Sequence, residues 1–267
     1  MPKPDLTSWY SLTHTERIGW GRYLRLIPLG VAVGATAVAL GLLWSVNSAR
    51  PELLGSDLMQ GYLVGAQRFL DTGSPYTPEQ LAGPFELSFH TFIHPPSALP
   101  LFVPFLWLPA ILWWMVPIAI TTYCLVRLRP APWALATIAL LLCWPRSTGA
   151  LLSGNTDMWA TAIVAMGTVW SWPVVGLVIK PTLAPLALIG IKQRSTWIAG
   201  ALLAGLSLLL LPIWLDWWSV IRNANLPLTY SLLNLPLVLI PLVGWLGRRR
   251  QTAAATSEGR TAAAPSS

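Results

Sequence analysis

The chain contains apolar runs long enough to cross a lipid bilayer, and this limits its fold more than any other feature. The clearest is "LIPLGVAVGATAVALGLLWSV", from Leu26 to Val46, against the roughly 20 apolar residues that a transmembrane helix requires. It begins too late and runs too long for a cleaved signal peptide, and no small-residue cleavage site follows it, so it reads as a retained first span. Composition agrees: 54% of the residues are hydrophobic, only 10% are charged, and there are sixteen tryptophans. That is a membrane protein's balance. The expected fold is an all-α polytopic membrane protein. Cys124 and Cys143 both sit inside apolar runs, where a thiol behaves as a small hydrophobe, so they imply neither a metal site nor a disulfide framework.

The net charge of +7 does not mark a nucleic-acid binder, because the basic residues are not gathered on one surface with interleaved aromatics. They follow the positive-inside rule instead. Lys3, Arg17, Arg22 and Arg25 precede the first span, Arg127 and Arg129 follow the second, Lys192 and Arg194 close the fifth segment, and Arg248 to Arg250 follow the last. These positions predict cytoplasmic N- and C-termini in a multi-pass protein of the inner or plasma membrane. The acidic residues Glu52, Asp57, Asp71, Glu79, Glu86, Asp157 and Asp216 fall on the opposite side. The insertion rule gives acids little weight, so their asymmetry asks for a separate explanation.

Three regions follow. Residues 1–25 form a cytoplasmic amphipathic lead whose aromatics suit a lipid interface. Residues 26–247 form the transmembrane domain, and residues 248–267 a basic stop with a low-complexity tail. Within the domain, 47–97 is the first extracytoplasmic loop. Its segment "GSDLMQGYLVGAQRFLDTG" has Ser56 as N-cap, Leu58, Tyr62, Ala66, Phe69 and Leu70 at helical spacing, and Gly73 as a stop, which predicts a surface helix. "SPYTPEQLAGPFELSFHTFIHPPSALP" is dense in proline and reads as irregular or in short turns. The run from Ala98 to Val126, broken by Pro100, Pro104 and Pro109, reads as a short broken helix leading into a span from about Ala110.

The stretch "VVGLVIKPTLAPLALIGIKQR", Val174 to Arg194, carries Lys180 near its middle. A cation at the bilayer centre costs on the order of 3 kcal/mol, so Lys180 is either off centre or partnered. One arrangement is a broken hairpin with Lys180 at its apex, each half-helix of about nine residues rising about 14 Å in α geometry. Another is one tilted helix with Lys180 snorkelling. The hairpin keeps Lys192 and Arg194 on the cytoplasmic side. A lysine with a purely structural role is expected to tolerate methionine.

The polar residues expected on the outer side are Asp57, Arg68, Tyr76, His90, His94, Arg146, Asn155, Asp157, Lys180, Asp216 and Arg222. Cations beside an acid suit a lipid-linked phosphate, with the carboxylate accepting a proton from the other substrate. Asp57 stands at a predicted helix N-terminus, which favours an ionised carboxylate but equally fits a simple cap. His94 is mounted on Pro95 and Pro96, which stiffen its backbone; an ordinary exposed histidine fits the same pattern. Asn155 and Asp157 in "SGNTDMW" fit capping of the next span, or pairing with a sugar hydroxyl or a cation. Trp214, Trp217 and Trp218 suit an interfacial belt or stacking on a sugar or prenyl chain. The histidines lack metal-ligand spacing, and no phosphate-cradling glycine loop or nucleophile elbow occurs.

Four segments, "SDLMQGYLVGAQRFLDTGSPYTP", "FIHPPSALPLFVPF", "SGNTDMW" and "VVGLVIKPTLAPLAL", occur in this order. Over about Ser56 to Arg222 the chain thereby resembles glycosyltransferase family 87, integral-membrane enzymes of the GT-C fold similar to polyprenyl-phosphate-mannose-dependent mannosyltransferases. The resemblance implies a GT-C-like helical bundle and a metal-independent, inverting transfer of a sugar, mannose favoured, from a polyprenyl-phosphate donor to a glycan or glycolipid acceptor outside. It implies Asp57 as general base, His94 and Lys180 as ligands of the donor phosphate, and no cofactor. Arg68, Tyr76, Arg146, Asn155, Asp157 and Arg222 are the further candidates for substrate contact among the polar residues expected outside. Family members are usually longer. The short chain implies a protein partner, or a second reading as a non-catalytic membrane subunit or scaffold.

The charge pattern makes a direct test possible. A membrane-impermeant thiol reagent applied to intact cells is expected to label a cysteine placed at Thr77 and to miss one placed at Gln251; labelling at Gln251 would invert the arrangement.

Overall fold

The computed structural model describes residues 7–88, 91–224 and 233–248. The sequence readings of Lys3, His90, Arg249, Arg250 and the tail beyond lie outside the described residues. The described chain is mostly helical and contains no strand, only two isolated bridges, Phe85 with Ala224 and Pro130 with Arg248.

Helix α1, Thr7–Ala49, runs unbroken through the lead and the first span. Its Ile27–Ala49 portion is the one described helix long and apolar enough by itself to cross a membrane. Val33, Leu40 and Trp44 stand exposed along it. So do Leu202, Leu206 and Leu209 at the far end of the chain. An apolar surface of this extent belongs in lipid or against a partner rather than in water.

After a 3₁₀ turn at Pro51–Leu53, a π-helical stretch, Asp57–Tyr62, leads into α2, Leu63–Thr72. A helix is present over the expected segment, ended by Gly73 in the left-handed region. Its start is different: Ser56 is already in right-handed helical conformation and its side chain makes no cap hydrogen bond. The face that bears Leu58, Tyr62 and Ala66 is buried, whereas Leu70 is exposed.

The proline-rich loop contains one short helix, α3, Pro78–Ala82, fixed by a capping box in which Thr77 and Gln80 satisfy each other's backbone amides. The broken lead-in is α4, Leu99–Phe102, between 3₁₀ turns at Pro96–Ala98 and Val103–Leu106. Then come α5, Leu112–Leu128, and α6, Pro132–Leu142. Helix α7, Pro145–Ser153, is bent 67° from α6. Helix α8, Asp157–Trp170, follows Gly154, whose φ of +73° turns the chain back where a side chain would meet Trp114 and Leu58.

The run around Lys180 is a broken hairpin, as the first of the two sequence arrangements has it. Its arms are Trp172–Ile179 and Pro181–Gly190, with Lys180 at φ −141°, ψ 83° between them. The arms return to one another: a Cβ at Gly190 would lie 2.9 Å from the Ser171 carbonyl oxygen and from a Val174 methyl. The arms are 3₁₀ rather than α-helical. Val174, Val175, Val178 and Ile179 crowd an α turn, and Pro181 and Pro185 each remove an amide donor. At a 3₁₀ rise of about 2.0 Å per residue, the arms reach about 16 and 20 Å, farther than α-helical arms of about nine residues. Helix α9, Arg194–Leu208, and α10, Leu211–Asn223, meet at 91°. The described chain closes with α11, Leu235–Leu246, which packs on α8, α6 and α5.

One buried cluster joins these elements through stacked aromatics. Tyr62 lies on Phe102 with ring centroids 4.8 Å apart, Phe102 meets Phe92 edge to face, and Trp113 continues the stack to Phe105 and Trp159. Phe92 is 1% exposed, and a Cβ at Gly65 would overlap its ring. Gly65→Ala gains up to about 1 kcal/mol of helix propensity but forces an overlap that costs about 1–3 kcal/mol where the neighbour cannot yield. A lower melting temperature is the expected outcome in detergent; an unchanged or higher one would show that Phe92 has room to move.

Candidate functional site

The turn between α7 and α8 gathers the polar residues. Asp57, at the start of the π-helical stretch, accepts hydrogen bonds on one carboxylate oxygen, Oδ2, from Ser153 Oγ at 2.8 Å and Asn155 Nδ2 at 2.7 Å. Oδ1 has no hydrogen-bond partner among the described residues. The carboxylate caps no helix. Both bonds that hold it fall on one oxygen.

Asn155 faces both ways. While its amide nitrogen donates to Asp57, its Oδ1 accepts the backbone N–H of Asp157 at 3.1 Å, which ties down the first turn of α8. The one side chain thus satisfies an amide at the start of α8, as a cap would, and holds the Asp57 carboxylate. Asp157 is 1% exposed and takes the ammonium of Lys180 on Oδ1 at 2.6 Å and the amide of Asn234 on Oδ2 at 2.7 Å. Lys180 therefore has a buried partner, which answers why an apolar run tolerates it. The expectation that a structural lysine accepts methionine fails for the same reason: removing Lys180 leaves Asp157 as an uncompensated buried charge.

His94 is boxed by Tyr62, Phe92 and Phe102, with ring centroids 4.9, 5.8 and 5.4 Å away, and its Nδ1 lies 3.4 Å from the Ile179 carbonyl oxygen. It is half-buried rather than freely exposed. Burial first and the Lys180 cation second bring its pKa down to about 4, against the opposing pull of the Ile179 carbonyl. The imidazole is neutral at neutral pH. Nδ1–H can donate to Ile179, which leaves Nε2 as an acceptor and not as a cationic phosphate ligand. Pro95 and Pro96 hold the backbone below it, with Pro95 extended at ψ 158°.

The other sequence candidates lie apart from this network. Tyr76 is buried and donates its hydroxyl to the His94 carbonyl oxygen at 2.8 Å, so it braces the histidine's backbone. Burial, then the Asp216 carboxylate, pushes its phenol well above the usual range. Arg68 donates to the Pro75 carbonyl oxygen at 2.7 Å and closes the turn after α2. Asp216 accepts from Ser74 Oγ at 3.4 Å. Arg146 and Arg222 are exposed, and no hydrogen bond among the described residues joins them to the site. Trp217 donates to the Ile93 carbonyl oxygen at 3.0 Å and packs against Trp214, while Trp218 stays 60% exposed.

Three members of the network carried no site role in the sequence reading. Ser153 sits in "SGNTDMW" beside residues that did. Tyr62 looked like one more apolar position on a helix face, yet its hydroxyl accepts the Thr156 N–H at 3.3 Å. Asn234 had a signal of the same kind as Lys180, a lone polar residue in an apolar run. Among the described residues no three His, Cys, Asp or Glu side chains come together as metal ligands. Comparison of the chain with family models, curated proteins and solved structures gives no match.

The buried pair sets up a double-mutant cycle. Lys180→Met alone is expected to cost about 3–5 kcal/mol, and combining it with Asp157→Asn should recover much of that loss. Thermal unfolding of the purified protein in detergent reads both; additive losses would exclude the coupling.

Proposed function

We propose that the chain is a polytopic membrane glycosyltransferase of GT-C type that moves a sugar, mannose favoured, from a polyprenyl-phosphate donor to an acceptor hydroxyl on the extracytoplasmic side. The observation that carries this reading is the Asp57 carboxylate, clamped through Oδ2 by Ser153 and Asn155, with no partner on Oδ1 among the described residues. A general base needs that arrangement: fixed in direction, with one lone pair free to take a proton from a hydroxyl about 3 Å away. In an inverting transfer, the acceptor oxygen attacks the anomeric carbon as its proton passes to Oδ1, and the bond to the phosphate oxygen breaks with its electron pair. Lys180 is the cation in the network. Its ammonium has three N–H donors, one of them on Asp157, and another is suited to a phosphate oxygen. His94, neutral with Nδ1–H turned to the Ile179 carbonyl, presents Nε2 as an acceptor, which suits a sugar hydroxyl and not the phosphate.

The order of the four sequence segments supports the same reading, with the first extracytoplasmic loop carrying α2, both termini cytoplasmic, and the hairpin dipping partway into the bilayer. Arms of about 16 and 20 Å do not span a hydrocarbon core of about 30 Å. Arg68 and Tyr76 are occupied by backbone carbonyls, and Arg146 and Arg222 stand exposed away from the network, so the direct ligands are confined to the network itself. A glycan or glycolipid acceptor and a protein partner on the exposed apolar helices belong to the proposal.

One observation favours the second reading, a non-catalytic membrane subunit or scaffold. Asp157 already neutralises Lys180, and the network holds two carboxylates against one ammonium. A phosphate ligand gains less from such a pair than from a free cation. Asp57→Asn discriminates the two readings, because the amide keeps the shape and an acceptor for Ser153 and Asn155 but takes no proton. With a polyprenyl-phosphate sugar and a panel of acceptors, turnover is expected to fall about 10²–10⁴-fold, with donor binding nearly unchanged. Transfer at the full wild-type rate in Asp57→Asn excludes this carboxylate as the base.

A further inference from the structure

Asn234 immediately precedes α11, at the N-cap position, where an asparagine ordinarily accepts an amide N–H of the first turn through its side chain. Here it makes no such bond. Its amide donates instead to Asp157 Oδ2 at 2.7 Å, across 77 residues of sequence. The adjacent backbone is held as well, because Trp144 Nε1 donates to the Leu233 carbonyl oxygen at 3.1 Å. Asp157 thus has two donors on two different oxygens. A carboxylate held by Lys180 alone could rotate about its Cβ–Cγ bond and carry the ammonium with it; one anchored on Oδ2 cannot. From Asp157 the connection continues through its own N–H to Asn155 Oδ1, and from Asn155 Nδ2 to Asp57.

We infer that Asn234 is a positioning residue for the Lys180 ammonium: by fixing Asp157 it sets where the one cation of the network points, and it ties that direction to the seat of α11. Its side chain hydrogen-bonds neither Lys180 nor Asp57 among the described residues. A residue whose purpose is to start α11 would use its side chain on the helix, and this one does not. A residue that only fills space would leave Lys180 indifferent to its loss.

The chain has three lysines, Lys3, Lys180 and Lys192, so nitrogen NMR of the side-chain ammonium groups reports on Lys180 with little overlap. In lysine-¹⁵N-labelled protein in detergent, the Lys180 signal, identified by its loss in Lys180→Met, is expected to be slow to exchange. Asn234→Leu, which keeps volume and removes the donor, is expected to shift that signal and speed its exchange, and to lower the melting temperature because Asp157 Oδ2 loses its partner, with the protein still folded at the temperature of the measurement. If Asn234→Leu does not fold, Asn234→Ser, too short to reach Asp157, serves in its place. An unchanged Lys180 resonance in a folded variant overturns the inference. A second arm, which rests on the glycosyl-transfer reading, measures farnesyl phosphate binding. Its Kd is expected to rise about 10–100-fold in Asn234→Leu, the scale on which a misplaced binding group acts, and the effect should vanish in the Lys180→Met background. An NMR response in Asn234→Leu together with no binding of farnesyl phosphate by the wild type would refute the lipid-phosphate reading and leave the positioning role standing.

Discussion

A lysine and an aspartate paired inside an apolar helical protein are the constraint around which the rest is arranged. Neither charge tolerates burial alone, and their attraction repays the desolvation only with good geometry and further hydrogen bonds on the remaining oxygens. Both conditions are met. The contact is 2.6 Å, and Asn234 covers the second oxygen of Asp157. The pair joins the break of the hairpin to the first turn of α8, and Asn234 adds α11. Three segments distant in sequence are held at one point by groups that have no better partners nearby.

The hairpin follows from the same constraint. To bring Lys180 to Asp157 the chain must enter, break and return, and its residues suit that path. Proline at 181 and 185 and β-branched residues ahead of the break disfavour a continuous α-helix, and the 3₁₀ arms carry the break deeper than α arms of similar length. The ends close against one another at Ser171 and Gly190, with α8 and α9 packed alongside. Around the polar network lies a shell of aromatic rings. Tyr62, Phe92 and Phe102 enclose His94 and keep it neutral, so the network's charge stays confined to Asp57, Asp157 and Lys180.

Local signals in the sequence determined a good deal. Apolar runs gave the all-helical class and the first span. Helical spacing and Gly73 gave the helix after the first span, since burial of one face and a left-handed stop are properties of neighbouring residues. A lysine followed by proline in an apolar run gave the broken hairpin, because an unpaired charge there is too costly to leave unexplained. Asp57, His94, Asn155, Asp157 and Lys180 were legible as polar residues in costly places.

Partner choice was decided only by the tertiary structure. Asp57 with Ser153 and Asn155, Asp157 with Lys180 and Asn234, and Tyr62 with Thr156 are contacts over 23 to 98 residues, and no local periodicity encodes them. The same applies to Arg68 and Tyr76, which looked equally suited to a ligand and are satisfied instead by backbone carbonyls at Pro75 and His94. A side chain's chemistry is fixed by its type, and its role by what the folded chain leaves unpaired beside it. The sequence carries the first of these residue by residue; the second exists only once α8, the hairpin and α11 have met.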